Sequence, residues 1–206
     1  PDAVMASLHG EERVAMLELE DMQHFLLTRP RAMAARYGFL CFRRPEHGRA
    51  WLAGIIDRVG TGRAMSGTGQ PDARWVTVAF TWNGLRALGV DEASLATFPE
   101  EFRQGMAARA AILGDTGTNH PDNWVGGLAS PDLHAIVILF AGDVAERERC
   151  VREHQQYATQ FPGVEALSTL DLEATPPVEY AHDHFGYRDR ISQPEIEGMG
   201  ITPTPG

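Results

Sequence analysis

The stretch His134-Ala-Ile-Val-Ile-Leu-Phe-Ala141, followed at once by Gly142 and then Asp143-Val-Ala-Glu-Arg-Glu-Arg-Cys-Val-Arg152, decides the fold. The first part is an unbroken apolar run, rich in β-branched residues and too short for a buried helix, so it is predicted to be a strand. Asp143 stands where a helix N-cap is needed, because its carboxylate can accept from the free N–H groups of the first turn. The helix it opens is predicted to run to about Gln160, where Pro162-Gly163 breaks it. Val164 to Leu172 then alternates loosely and reads as another strand. The same order occurs earlier in the chain. Tyr37-Gly-Phe-Leu-Cys-Phe-Arg43 is a predicted strand, and Pro45 opens a helix carrying Trp51, Leu52, Ile55, Ile56 and Val59 at helical spacing. Gly60-Thr-Gly62 ends that helix, residues 61–74 form a Gly-rich loop, and Trp75 to Thr81 is the next strand. Two strand–helix–strand units imply an α+β fold of ferredoxin-like type, an antiparallel sheet with helices on one face.

Between the two units lies a predicted helical insertion at about residues 82–132. It holds a short helix from Asn83 to Leu88 closed by Gly89, and a helix from Pro99 to Leu113 with Phe102, Met106 and Ala110 on one face. A polar loop from Gly114 to Pro131 follows and carries Trp124. The expected organisation is an extension over residues 1–35, the ferredoxin-like domain over 36–172, and an irregular Pro- and Gly-rich segment over 173–206. That last segment crowds His182, Asp183, His184, Arg188, Asp189, Arg190 and Gln193 together. An irregular segment dense in chemically capable side chains is where function concentrates.

Composition narrows the function classes. The net charge is −10, all 18 basic residues are Arg, and a phosphate-binding face would need clustered cations. Nucleic acid and anionic membrane surfaces are therefore not expected partners. No run approaches the roughly 18 apolar residues of a membrane span. Cys41 and Cys150 make no disulfide framework and are expected to be free thiols. A cytoplasmic location is the default expectation, with a trimmed signal left open because the chain starts at Pro1.

The segment His184-Phe-Gly-Tyr-Arg-Asp-Arg-Ile-Ser-Gln-Pro194 resembles the signature of the dye-decolorising peroxidase family, Gly-x-x-Asp-Gly followed by a hydrophobic residue, Ser, Gln and Pro. Here it reads Gly186-Tyr-Arg-Asp189-Arg190, then Ile191-Ser-Gln-Pro194. The Val76–Leu88 stretch, Phe98-Pro-Glu-Glu-Phe-Arg-Gln-Gly-Met106, Leu113-Gly-Asp115 and Leu19-Glu-Asp-Met-Gln23 are similar to the same family's N-terminal half. The family's doubled ferredoxin-like architecture also agrees with the element order above.

The resemblance implies a peroxidase that binds haem b and uses hydrogen peroxide to oxidise dyes, phenols and other bulky aromatic reductants. Heterolytic peroxide cleavage needs a base that takes a proton from one oxygen and returns it to the other. By resemblance Asp189 is that group, and Gly186, Tyr187, Arg188, Asp189, Arg190, Ile191, Ser192 and Gln193 form the haem-side loop. A carboxylate has an unperturbed pKa of about 3.9 against about 6.5 for imidazole, so activity is expected to favour acid conditions. Arg190 departs from the motif's second Gly. It either strains the loop or pairs with a haem propionate. The family's axial His and distal Arg lie in a C-terminal half, so the chain is expected to be one half of a protein roughly twice as long. The expected partner is that half, present in the same chain or as a separate one, and a homo-oligomer is also allowed.

Blander readings stand beside these. Asp189 alone is an ordinary loop carboxylate beside Arg188 and Arg190. His182 and His184, at alternate positions, could hold a metal in a non-haem enzyme. A fold that kept haem but lost turnover is the other alternative, and Arg190 is the feature in its favour. Trp51, Trp75 and Trp82 are expected in the core. Trp124 and Tyr187 are the candidate electron relays, with packing the simpler account of both. Glu146, Glu148 and Glu153 suggest a solvated helix face. Gly60-Thr-Gly62 and Gly67-Thr-Gly69 lack the strand-to-helix context of a phosphate loop. His24, His120 and His134 are isolated and receive no role.

Overall fold

The computed structural model describes residues 17–27, 34–62, 74–173 and Tyr187. In chain order these form α1 (His24–Leu27), β1 (Ala34–Phe42), α2 (Pro45–Ile55) and β2 (Trp75–Phe80). Four short helices follow, α3 (Trp82–Ala87), α4 (Glu92–Leu95), α5 (Glu100–Ala108) and α6 (Ala110–Leu113). The unit ends with β3 (Ala135–Ala141), α7 (Val144–Ala158) and β4 (Val164–Glu173). The strands build one sheet in the order β2-β3-β1-β4. Every neighbouring pair is antiparallel. This is the α+β ferredoxin-like arrangement. A bulge between Phe39 and Leu40 shifts the β1–β4 register, after which Phe42 pairs with Val164.

Alternation along the strands gives the sheet two apolar faces. One, made by Leu40, Phe42, Val78, Val137 and Leu139, packs against Trp51 and Ile55 of α2 and Val151 of α7. Trp51 and Ile55 are almost fully buried, each worth roughly 1.5–3 kcal/mol of burial. Asp143 caps α7 as expected, accepting from Glu146 N at 2.7 Å, and the Glu146 carboxylate reaches back to Gly142 N at 2.9 Å. The second face presents Ala35, Trp75, Ile138 and Phe140, flanked by Tyr37 and Ile136. At one end α1 lies over it, with His24 on Trp75 at 4.5 Å and Phe25 on Phe140 at 5.9 Å between ring centroids. On the β1–β4 side the turn at Val125–Gly127 rests on it, where Ser168 Oγ donates to Gly126 O at 2.5 Å. Leu170 and Leu172 of β4 remain about half exposed.

Each sheet edge is handled differently. Beside β2, Gly60 N donates to Val76 O, and the Gln23 side chain donates to Val78 O and accepts from Val78 N. The amide group thus imitates a strand's backbone and occupies the edge. Edge strand β4 is tied by charge: Asp171 accepts twice from Arg36, and the buried Arg147 of α7 reaches Glu148, Asp171 and Glu173. Glu148 also meets Arg36, and Glu153 pairs with Arg74. The α7 carboxylates expected to form a solvated face are therefore paired or, for Glu146, used in capping.

The insertion departs from its pattern. The helix expected over Pro99 to Leu113 is broken at Gly105, whose φ of 73° only glycine adopts cheaply. Phe102, Met106 and Ala110 do not share one buried face: Ala110 is buried and Met106 is exposed. Trp82 is half-buried beneath Arg103 and against Phe98. Helix α3 meets the sheet closely, because a Cβ on Gly84 would lie 2.6 Å from the His134 carbonyl carbon. Among the described residues no helix is long and apolar enough to cross a membrane.

Candidate functional site

Strand β4 ends at Glu173, and the motif begins thirteen positions later at Gly186. Of the predicted site, Gly186, Arg188, Asp189, Arg190, Ile191, Ser192 and Gln193 lie outside the described residues, as do His182 and His184. Tyr187 is described and is 74% exposed. Trp124, the other relay candidate, is half-buried and donates from Nε1 to Asn119 O at 2.9 Å. That bond gives Trp124 a plain structural task in holding its loop.

The described imidazoles each have a local account. His24 is buried against Trp75, and burial lowers its pKa. His47 accepts from Gly163 N at 2.8 Å, and His120 accepts from Asp122 N in its own turn. His154 faces a cavity under α7. His134 accepts from Phe42 N at 2.9 Å through Nδ1, so its remaining proton belongs on Nε2.

His134 also belongs to a group that the sequence pattern gave no means of finding. Its ring, the Cys41 thiol and the Asp132 carboxylate bring their donor atoms within 4.8 Å of one another. Two of those groups are already engaged, the His134 ring by Phe42 N and the Asp132 carboxylate by Arg43. Arg43 donates to Asp132 at 2.9 Å and to Glu165 at 2.9 Å. Burial raises the Cys41 pKa and keeps the thiol protonated, and burial likewise lowers that of His134. A cation here would have to displace Arg43 and the Phe42 N–H, so the cluster is a hydrogen-bonded end to the sheet. Cys41 and Cys150 are both free and buried.

The geometry defines a class: a ferredoxin-like α+β unit with one sheet face under helices and a second apolar face that, among the described residues, is only partly covered. Residues 57–169 match the family model described as the DyP dimeric alpha+beta barrel domain. The chain belongs to that family. It is 27% identical over 195 residues to a dye-decolorizing peroxidase of Exidia glandulosa, covering 94% of this chain and 37% of that protein. A fungal DyP-type peroxidase from Auricularia auricula-judae superposes with a TM-score of 0.78 at 23% identity, over 93% of this chain and 41% of that one. A further dye-decolorizing peroxidase, studied for sulfoxidation through engineering of its heme pocket, superposes with a TM-score of 0.76 at 24% identity, over 92% and 41% of the two chains. At these identities the superpositions establish the fold. The chain spans about two-fifths of the length of these relatives.

Proposed function

We propose that this chain is one half of a haem peroxidase that uses hydrogen peroxide to oxidise dyes, phenols and similar aromatic reductants. The observation that carries the reading is the Gly186-Tyr-Arg-Asp189 motif with Ile191-Ser-Gln-Pro194, in a chain whose residues 57–169 match the family model. Haem b supplies the redox chemistry when bound. The chain's own residues move the proton and shape the space around it. Asp189 accepts a proton from one peroxide oxygen and delivers it to the other, which lets the bond between them break with charge kept low. Arg190 would pair with a propionate, and Gly186 would let this stretch approach the ring closely. Ile191 and Ser192 would lie against the ring, and Gln193 would lead the chain away from it.

The half-exposed Leu170 and Leu172 support the doubled architecture, because two sheets facing each other would cover them. In this reading a second half would supply the His and the Arg that complete the haem-holding residues. Arg190 in the place of the motif's second Gly favours one alternative, a unit that binds haem without turning over.

The test is stopped-flow absorption of the full-length haem-loaded protein mixed with hydrogen peroxide. Asp189→Asn is expected to slow the peroxide-driven Soret shift by about 10²–10⁴-fold, the span of general acid–base catalysis. A variant that reacts at the parent rate would remove Asp189 from the mechanism. A parent protein that binds haem but shows no shift would establish the non-catalytic alternative.

A further inference from the structure

Residues 19–27 run beside the outer edge of β2 and then over the second sheet face. Gly62 N donates to Met22 O at 2.9 Å, and His24 N donates to Gly60 O at 2.7 Å. Between them the Gln23 side chain donates to Val78 O at 2.7 Å and accepts from Val78 N at 3.0 Å. The Val78 N–H therefore points away from β3, and this segment supplies its acceptor. Past Gln23 the chain makes the single turn of α1, where Phe25 and Leu26 are exposed. A segment with few buried side chains and its bonds at a sheet edge opens ahead of the rest of a fold.

One buried side chain clamps it. His24 is 3% exposed, with its ring on Trp75. Among the described residues its Nε2 has no hydrogen-bond partner, and neither has Thr77 Oγ1, which is buried on the same face two residues beyond Trp75. A neutral imidazole tolerates this by keeping its proton on Nδ1 and burying only a lone pair. An imidazolium carries a proton on both nitrogens, so a charged N–H would be buried with no acceptor. Glu18, Glu20 and Asp21 lie on the same segment as His24, and Asp57 and Arg58 lie on the turn before Gly60. Arg74, just ahead of β2, pairs with Glu153, and β3 carries no charged side chain. None of these charges offsets the cost: burial acts on His24 and lowers its pKa.

We propose that residues 19–27 are an acid-released strap, in which protonation of His24 lifts α1 off Trp75 and Phe140 and withdraws Gln23 from β2. Release uncovers the apolar end of the second face and the backbone edge of β2 at Val78. Free imidazole in the open strap titrates near 6.5, and the closed strap holds His24 below that, so the open state binds the extra proton. Closure is therefore complete above pH 6.5 and is lost as pH falls from there toward the closed-state pKa, by up to about tenfold per pH unit. The strap works without Asp189 and without peroxide.

The experiment is amide hydrogen exchange of the full-length protein between about pH 7 and pH 5, corrected for the intrinsic pH dependence of exchange. It is read at Val78 and Gly62, with the β3 amides as reference. Val78 and Gly62 are expected to lose protection by up to about tenfold per pH unit below 6.5, while β3 keeps its own. His24→Phe keeps a ring on Trp75 and cannot titrate, so both amides are expected to hold their neutral-pH protection throughout. His24→Gln loses the ring contact as well, and is expected to be less protected at both ends of the range and equally so. Protection at Val78 that does not change with pH in the parent would overturn the proposal. So would the parent's pH dependence persisting in either variant, or a loss shared equally by β3.

Discussion

Gly84→Ala tests the contact on which the insertion is mounted. The new methyl carbon would lie 2.6 Å from the His134 carbonyl carbon, 3.0 Å from its Cα, and closer still to its oxygen. The obstacle is backbone at the residue that leads into β3, so no side chain can swing away. Helix α3 must instead retreat, and Thr81 would retreat with it. Thr81 N donates to His134 O at 3.1 Å, and Thr81 Oγ1 donates to Leu133 O at 2.6 Å. Overpacking costs about 1–3 kcal/mol, and weakening those two bonds adds up to about 1 kcal/mol each. Replacing a helical glycine by alanine returns about 1 kcal/mol. The expected net loss is about 2–3 kcal/mol, or roughly 5–10 °C in Tm for a domain of this size. Urea and thermal unfolding followed by circular dichroism measure it directly. An alanine variant as stable as the parent would mean that helix propensity outweighs the contact, and the close approach of α3 would be wrong.

Two further outcomes are expected. Leu170→Arg should leave the unfolding free energy of this chain within about 0.5 kcal/mol, because the side chain is half exposed. In the full-length protein the same change should cost several kcal/mol by burying a charge; equal effects in the two would count against a facing second sheet. The His154 pKa is about 6.5 unfolded and about 4 folded, so the unfolded state binds the extra proton between those values. Stability is therefore expected to hold above pH 6.5 and to fall as pH drops from there toward 4. The slope should be shallower in His154→Gln, and an unchanged slope would place the imidazole in water.

How much of this was legible in the sequence varied with the physics of each element. Strand β3 and helix α7 could be read because an apolar run and a capping aspartate are local signals, and the structure keeps Asp143 as the cap. The α5–α6 break could not be read from periodicity, since Gly105 and its neighbours keep helical spacing while the backbone reverses sign in φ. The pairing of Glu148 and Glu153 also escaped, because Arg36 in β1 and Arg74 just before β2 are distant in sequence. Gln23 beside β2 is of the same kind: a polar side chain replacing a strand leaves no pattern. The candidate site divides in the same way. The Gly186–Gln193 stretch resembles a family signature and, Tyr187 apart, lies outside the described residues, while the cavity under α7 exists only through the packing of separate elements.

The pairing of Ala34 with Glu173 sets a condition on how the molecule is made. Strand β1 is central, yet one of its two neighbours is the last strand of the described sheet to leave the ribosome. Until β4 emerges, β1 carries an open row of backbone donors and acceptors beside an apolar face. The contact that closes the sheet spans nearly the whole unit, so folding is slow relative to local helix formation. Nascent chains stalled or truncated before Val164 would therefore be the species that demand a chaperone.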